Sequence, residues 1–187
     1  LRAIPGLVLM QPKDEAEMAN MLHTAIRLSR PVAIRYPRGC GPGVPIPTEL
    51  CDLPLGKAEV IRRGDRIQIW ALGDMIPMAQ KAAGLIEGDR KVAVGIVNPR
   101  FIRPLDESLL AEQARSGTVF VTIENALATG GFGSVVEESL CRHGFGGRVF
   151  RFGWPDEYVP HGAPEILMEK YGLTAEAVAK AVMSSLE

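Results

Sequence analysis

Pro31-Val32-Ala33-Ile34-Arg35-Tyr36-Pro37-Arg38-Gly39 divides the chain in both structure and chemistry. Val32 to Tyr36 is a short apolar, β-branched and aromatic run, the pattern of a buried strand in an α/β sheet. Pro37 stops it, because proline donates no ladder hydrogen bond and restricts the residue before it. Arg35 and Arg38 are thereby placed at the C-terminal end of the strand, where open α/β sheets bind their ligands. A guanidinium there suits a phosphate or carboxylate, gripped through two parallel hydrogen bonds. The competing expectation is a solvated surface arginine.

Upstream, Leu7 to Met10 reads as a second buried strand. After Pro12, Asp14-Glu15 open a helix running to about Ser29, with acidic residues complementing the dipole of its first turn. Met18, Met21, Leu22, Ala25 and Leu28 recur at helical spacing and form its apolar face. Together with Val32–Tyr36 this makes a βαβ unit, whose crossover is expected to be right-handed. Such a unit cannot cover both faces of its own sheet, so residues 1–39 are expected to be the end of a domain that needs strands from elsewhere. The chain begins at Leu1 rather than Met, which fits a piece of something longer. From Gly39 to Gly56, glycine and proline recur too densely for regular structure, and 40–56 reads as a linker.

From Lys57 a new unit begins. Lys57–Arg62 and Ile67–Leu72 read as strands joined at Gly64-Asp65, with an antiparallel hairpin expected. A helix follows from about Ile76 to Ile86, with its exit at Gly88-Asp89. Then come the strand Val92–Val97, a helix from Glu107 to Ala114 after Pro104-Leu105-Asp106, and the strand Val119–Ile123. The turn Gly130-Gly131-Phe132-Gly133-Ser134 precedes a helix through Cys141, with Ser134 as the expected N-cap. Val149–Phe152 is the last strand. Helices at Pro164–Lys170 and Thr174–Leu186 close the chain, with Gly172 a C-cap signal between them. Residues 57–187 thus read as a doubly wound α/β domain of about five mostly parallel strands with helices on both faces.

Composition restricts the functional classes. Over 187 residues the apolar fraction is 47% and the charged fraction 23%, as in ordinary globular proteins. A net charge of −1 leaves no electrostatic footprint for nucleic acid or an anionic membrane. No apolar run approaches the roughly 18 residues of a membrane span, and no signal peptide is evident. Cys40, Cys51 and Cys141 are odd in number and lack CxxC spacing, against a disulfide framework or zinc site and in favour of reduced thiols in a cytoplasmic protein. His23, His143 and His161 are not at metal-ligand spacing either.

Each remaining candidate has a structural counterpart. Glu124-Asn125 follow a strand at the ligand-binding edge and could serve as acid or base, but anchoring the glycine turn is the favoured role. That turn could offer N–H groups to a phosphate, yet it has neither the Walker lysine nor GxGxxG spacing. Gly73-Asp74 reads as a structural strand-to-helix turn. Trp154-Pro155-Asp156 suggests a tyrosine-phosphatase acid, but the spacing from Cys141 to Arg148 is wrong for that nucleophile loop. His161, in Val159-Pro160-His161-Gly162, reads as a solvated turn histidine. No catalytic constellation is complete within the chain.

Taken in order, several runs nevertheless form a pattern: Leu1-Arg2-Ala3-Ile4-Pro5, Gln11-Pro12-Lys13-Asp14-Glu15, Arg35-Tyr36-Pro37-Arg38-Gly39 and Pro54-Leu55-Gly56-Lys57. Arg100-Phe101-Ile102-Arg103-Pro104-Leu105-Asp106, Glu124-Asn125 with the glycine turn, and Gly153-Trp154-Pro155-Asp156 with Pro160-His161-Gly162 continue it. In this the sequence resembles the C-terminal third of the 1-deoxy-D-xylulose 5-phosphate synthases, thiamine-diphosphate enzymes of the transketolase superfamily. The resemblance implies that 1–39 ends a pyrimidine-binding middle domain and that 57–187 is a transketolase C-terminal domain. It implies a homodimeric cytoplasmic enzyme that uses thiamine diphosphate and Mg²⁺, both held by an N-terminal part not in this chain, with no cofactor or metal ligand within the fragment. The reaction would be decarboxylation of pyruvate and condensation with D-glyceraldehyde 3-phosphate, feeding isoprenoid and thiamine biosynthesis. The second arginine of R-Y-P-R-G, Arg38, would reach the acceptor's phosphate, and Arg35 is the weaker candidate. Cys40 departs from the asparagine expected after Gly39. The fragment alone is expected to be inactive. The alternatives are the C-terminal half of a split transketolase and a non-catalytic dimerisation or docking module.

Overall fold

The computed structural model describes residues 1–186. Glu187, the last residue assigned above to the C-terminal unit, lies outside them.

The first unit is a parallel pair, β1 (Val8–Met10) and β2 (Val32–Ile34), connected through α1 (Glu15–Arg27). Asp14 caps α1 by accepting from the Glu17 N–H. β2 is shorter than the apolar run suggests and only half-buried. Its outer edge carries no partner strand among the described residues. Arg35 still donates its N–H to Met10 at 2.9 Å. The chain then leaves the sheet before Pro37, and Tyr36 is exposed.

The second unit is a five-stranded sheet ordered β3 (Glu59–Arg62), β5 (Val94–Asn98), β4 (Ile67–Ala71), β7 (Val119–Leu127), β8 (Arg148–Trp154). β5, β4, β7 and β8 are mutually parallel, and β3 runs antiparallel on the edge. Alternation decides the two faces. Ile67, Ile69, Ala71, Val119, Val121 and Ile123 point into a core with α2 (Ile76–Arg90) and α6 (Ala175–Ser184). Trp70, Leu72, Val97 and Phe120 point the other way, onto α3 (Glu107–Ser116) and α4 (Phe132–Arg142). This is the mostly parallel, two-faced sheet expected from the sequence.

The hairpin expected at Gly64-Asp65 does not form, because β5 lies between β3 and β4. The connection crosses directly over β5, where Asp65 donates its N–H to Ala93. A Cβ on Gly64 would fall 1.9 Å from the Gly95 nitrogen, so the crossing requires glycine. The Gln68 side chain spans Gly95 and donates to the carbonyls of Gly64 and Asp65, holding the crossover down.

Other corrections are local. α2 follows a 3₁₀ turn (Gly73–Met75) and runs through Gly88-Asp89, ending instead at Lys91 in the left-handed conformation. Gly131, not Ser134, is the N-cap of α4. β7 continues past Ile123, so Glu124 and Asn125 lie within a strand. At the C-terminus, α5 (Pro164–Lys170) ends before Gly172, which has φ +71°, and Thr174 caps α6.

A strand that the pattern did not reveal, β6 (Phe101–Arg103), leaves the second unit and pairs antiparallel with β1, giving the small sheet the order β2-β1-β6. The need of 1–39 for outside strands is thus met on one side by the same chain. Leu9 and Ile102 enter the core beneath the large sheet. Val8, Met10, Met21, Leu53 and Phe101 make a separate small core. A polar seam reinforces the junction. Buried Glu17 accepts from Asn98 Nδ2 at 2.9 Å and from Arg100 Nε at 2.7 Å. Lys13 bridges Glu17 and Glu59.

The segment read as a linker has no helix or strand, but it is bound closely to α1. Glu15 accepts from the N–H groups of Gly43 and Val44, Asn20 from Cys51, and Thr24 from Leu53.

Candidate functional site

The carboxyl ends of β1, β2, β4, β7 and β8 converge at the junction of the two sheets. There Gln11, Arg35, Asp74, Asn125 and Trp154 meet. Gln11 is fully buried and the other four are partly so. Arg35 donates through Nη1 to Gln11 Oε1 at 2.7 Å and through Nη2 to the main-chain carbonyl of Asn125. Gln11 Nε2 donates to Asp74 Oδ1 at 3.1 Å, and Asn125 Nδ2 to Asp74 Oδ2 at 2.8 Å. Trp154 Nε1 donates to Asn125 Oδ1 at 2.7 Å. The result is a closed ring of hydrogen bonds joining the small sheet to the large one.

Arg38 stands three residues further on and differs from Arg35 in every respect. It is exposed, and no hydrogen bond or ion pair among the described residues engages its guanidinium. Its neighbours Pro37 and Gly39, though not Arg38 itself, line a cleft of about 460 Å³ together with Met18 and Leu22 of α1 and Asp74. Of the two arginines, the one free to take an external anion is Arg38. Arg35 spends its donors within the protein.

Glu124 does what the structural expectation requires. Its two oxygens accept from the N–H groups of Phe132 and Gly133, each at 2.7 Å. It therefore satisfies the first turn of α4, which explains why Ser134 is not needed as a cap. Ser134 instead accepts from Gly130 and Arg151 and donates to the Ala128 carbonyl. Burial pushes the Glu124 carboxyl above its ordinary range, against the two N–H bonds and the charges of Arg35 and Arg151. A Cβ on Gly131 would collide with Glu124, so the glycines serve close packing. His161 is exposed on the connection between β8 and α5. Cys40, Cys51 and Cys141 are free and exposed. Trp154 is a hydrogen-bond donor to Asn125 rather than part of a phosphatase loop.

Sequence reasoning missed Gln11 and the joint role of Asp74 and Asn125. The available signal was a polar residue directly after an apolar strand at the ligand-binding edge. Gln11 alone meets it, because Asp74 lies in the turn Gly73–Met75 and Asn125 lies within β7.

A fold of this kind, a five-stranded, mostly parallel sheet with a small β2-β1-β6 sheet packed against it, defines a known class. The family model "Transketolase, C-terminal domain" matches residues 56–178, and "Transketolase, pyrimidine binding domain" matches residues 1–42. The chain belongs to the transketolase family. Within it, the chain is similar to the 1-deoxy-D-xylulose-5-phosphate synthase of Heliobacterium modesticaldum, at 46% identity over 96% of this chain and 28% of that protein. It is likewise similar to synthase 2 of Geobacter sulfurreducens, at 47% identity over 96% of this chain and 29% of that one. The chain thus spans less than a third of the curated relatives it matches. Among solved structures, a split-gene transketolase described as an inactive beta4 tetramer superposes with a TM-score of 0.84 at 31% identity, over 99% of this chain and 59% of that one. Transketolase from Campylobacter jejuni shares the fold, with a TM-score of 0.70 at 16% identity over 98% of this chain and 27% of that one.

Proposed function

We propose that the chain is the C-terminal part of a thiamine-diphosphate- and Mg²⁺-dependent synthase that condenses pyruvate with D-glyceraldehyde 3-phosphate, releasing CO₂ and forming 1-deoxy-D-xylulose 5-phosphate. The observation that carries this is the contrast between the two arginines of R-Y-P-R-G. Arg35 is consumed by internal bonds, and Arg38 is presented unpaired at the carboxyl edge of a parallel sheet. A free guanidinium there would hold the acceptor's phosphate by charge-assisted bonds and orient its aldehyde toward the reacting centre. Arg35 would act indirectly, by holding the strand end from which Arg38 projects.

Among the described residues no three His, Cys, Asp or Glu side chains gather as a metal site. A diphosphate–metal group needs carboxylate and carbonyl oxygens gathered at one point. Its ligands would come from the rest of a longer polypeptide, in a cytoplasmic homodimer, and this chain alone would be inactive. Decarboxylation belongs to the cofactor, and this chain's share is acceptor binding and assembly.

A split transketolase is the second reading, favoured by the close superposition on a protein of that description. An assay of the complete protein separates the two. The synthase reading expects pyruvate consumption that depends on triose phosphate and releases CO₂. Turnover of a ketose phosphate donor without pyruvate use would support the transketolase reading instead.

A further inference from the structure

We propose that Asp74 and Asn125, both in the C-terminal unit, are positioning residues for the acceptor's phosphate, acting through the ring that clamps Arg35. This rests on the assignment of Arg38 as the phosphate grip. The ring is directional. Arg35 donates to Gln11 Oε1, which forces the Gln11 amide to turn its NH₂ toward Asp74. Trp154 donates to Asn125 Oδ1, which forces that NH₂ toward Asp74 as well. Asp74 therefore receives two amide donors, one on each carboxylate oxygen, and neither amide can flip without abandoning the donor behind it. Only an acceptor-only side chain completes the circuit. The Arg35 guanidinium closes it on the Asn125 carbonyl, so the segment leading to Arg38 is tied at Arg35 to β7 and, through Gln11 and Asp74, to the Gly73–Met75 turn, as well as to β1. The left-handed Gly73 fits the same design, since a Cβ there would lie 2.5 Å from Gln11 Nε2.

The polarity of the ring makes a near-isosteric test possible. Asp74→Asn in the complete enzyme sets an NH₂ against another NH₂ and opens the circuit with little change of volume. The KM for triose phosphate is expected to rise about 5- to 20-fold, with kcat and the KM for pyruvate within about twofold of the parent. Gln11→Glu combined with Asp74→Asn restores an acceptor opposite every donor at unchanged net charge, and should return the triose-phosphate KM to within about threefold. Trp154→Phe frees the Asn125 amide without touching the carboxylate and should move the same constant in the same direction by a smaller factor. Equal shifts for both substrates, a fall in kcat, or no recovery in the double variant would overturn the clamp. Arg38→Ala, run alongside, separates the two claims. If it selectively weakens triose phosphate while Asp74→Asn does not, the clamp fails and the phosphate reading stands. If Arg38→Ala is itself unselective, the phosphate reading fails.

Discussion

The two sheets carry the same kind of sequence signal and end in different states. In the large sheet, all of β4 and β5 and the first six residues of β7 are buried, and helices cover both faces. In the small sheet β2 is only half-buried, and the unit is completed on one side by β6, a strand of three residues lent by the large unit. One region has a core on each face of its sheet. The other has a small core of its own and is held to the first through Phe101, the Glu17 seam and the Arg35 ring. That dependence puts Arg38 on an element whose placement is dictated from outside it.

The strongest way to break the comparison is Phe101→Ala. Phe101 is fully buried in the small core, and truncating a buried phenylalanine costs about 3–5 kcal/mol. Hydrogen exchange should accelerate at β1 and β2 while β4 and β7 keep their protection. Uniform acceleration in both sheets would show that the two regions unfold as one. Glu124→Ala attacks the other region. It strands two buried N–H groups at the start of α4 and should destabilise the large unit by about 2–4 kcal/mol, read from the denaturant midpoint. An unchanged midpoint would contradict the capping role.

The smallest effect is one of pH, and its sign differs between the regions. Burial acts to raise the Glu59 carboxyl, but bonds from Lys13 and Asn98 and the charges of Lys13 and Arg100 outweigh it and leave the pKa lowered. Its stabilising contribution is therefore present above the ordinary glutamate range and lost as pH falls through the lowered value, below about pH 4.3. Glu124 is raised, so its contribution is present at low pH and lost as pH rises through its elevated value. Acidification below the ordinary glutamate range should loosen the seam, seen as faster exchange at α1 and β1, relative to the junction of β7 and α4. Loss of protection at that junction first would reverse the assignment.

Long apolar runs were readable without coordinates, because burial on both faces of β4, β5 and β7 leaves few polar positions to confuse the pattern. The capping role of Glu124 was readable too, since carboxylate and glycine turn are close in sequence. The hairpin was misread because local turn chemistry at Gly64 says nothing of which strand lies beneath it. The one clue was Gly95, the only residue of β5 without a side chain. β6 was hidden for a similar reason: three residues before Pro104 become a strand only because β1 offers them an edge. The ring was hidden most deeply. Gln11, Asp74 and Asn125 are distant along the chain, and nothing local distinguishes an amide that holds two sheets together from one facing solvent.

The most direct test of the whole account is steady-state kinetics of Arg38→Ala in the complete enzyme with both substrates varied. A lost charge-assisted bond is worth roughly 1.5–3 kcal/mol, so the KM for triose phosphate should rise about 10- to 150-fold while that for pyruvate stays put. Equal changes in both constants, or none in either, would contradict it.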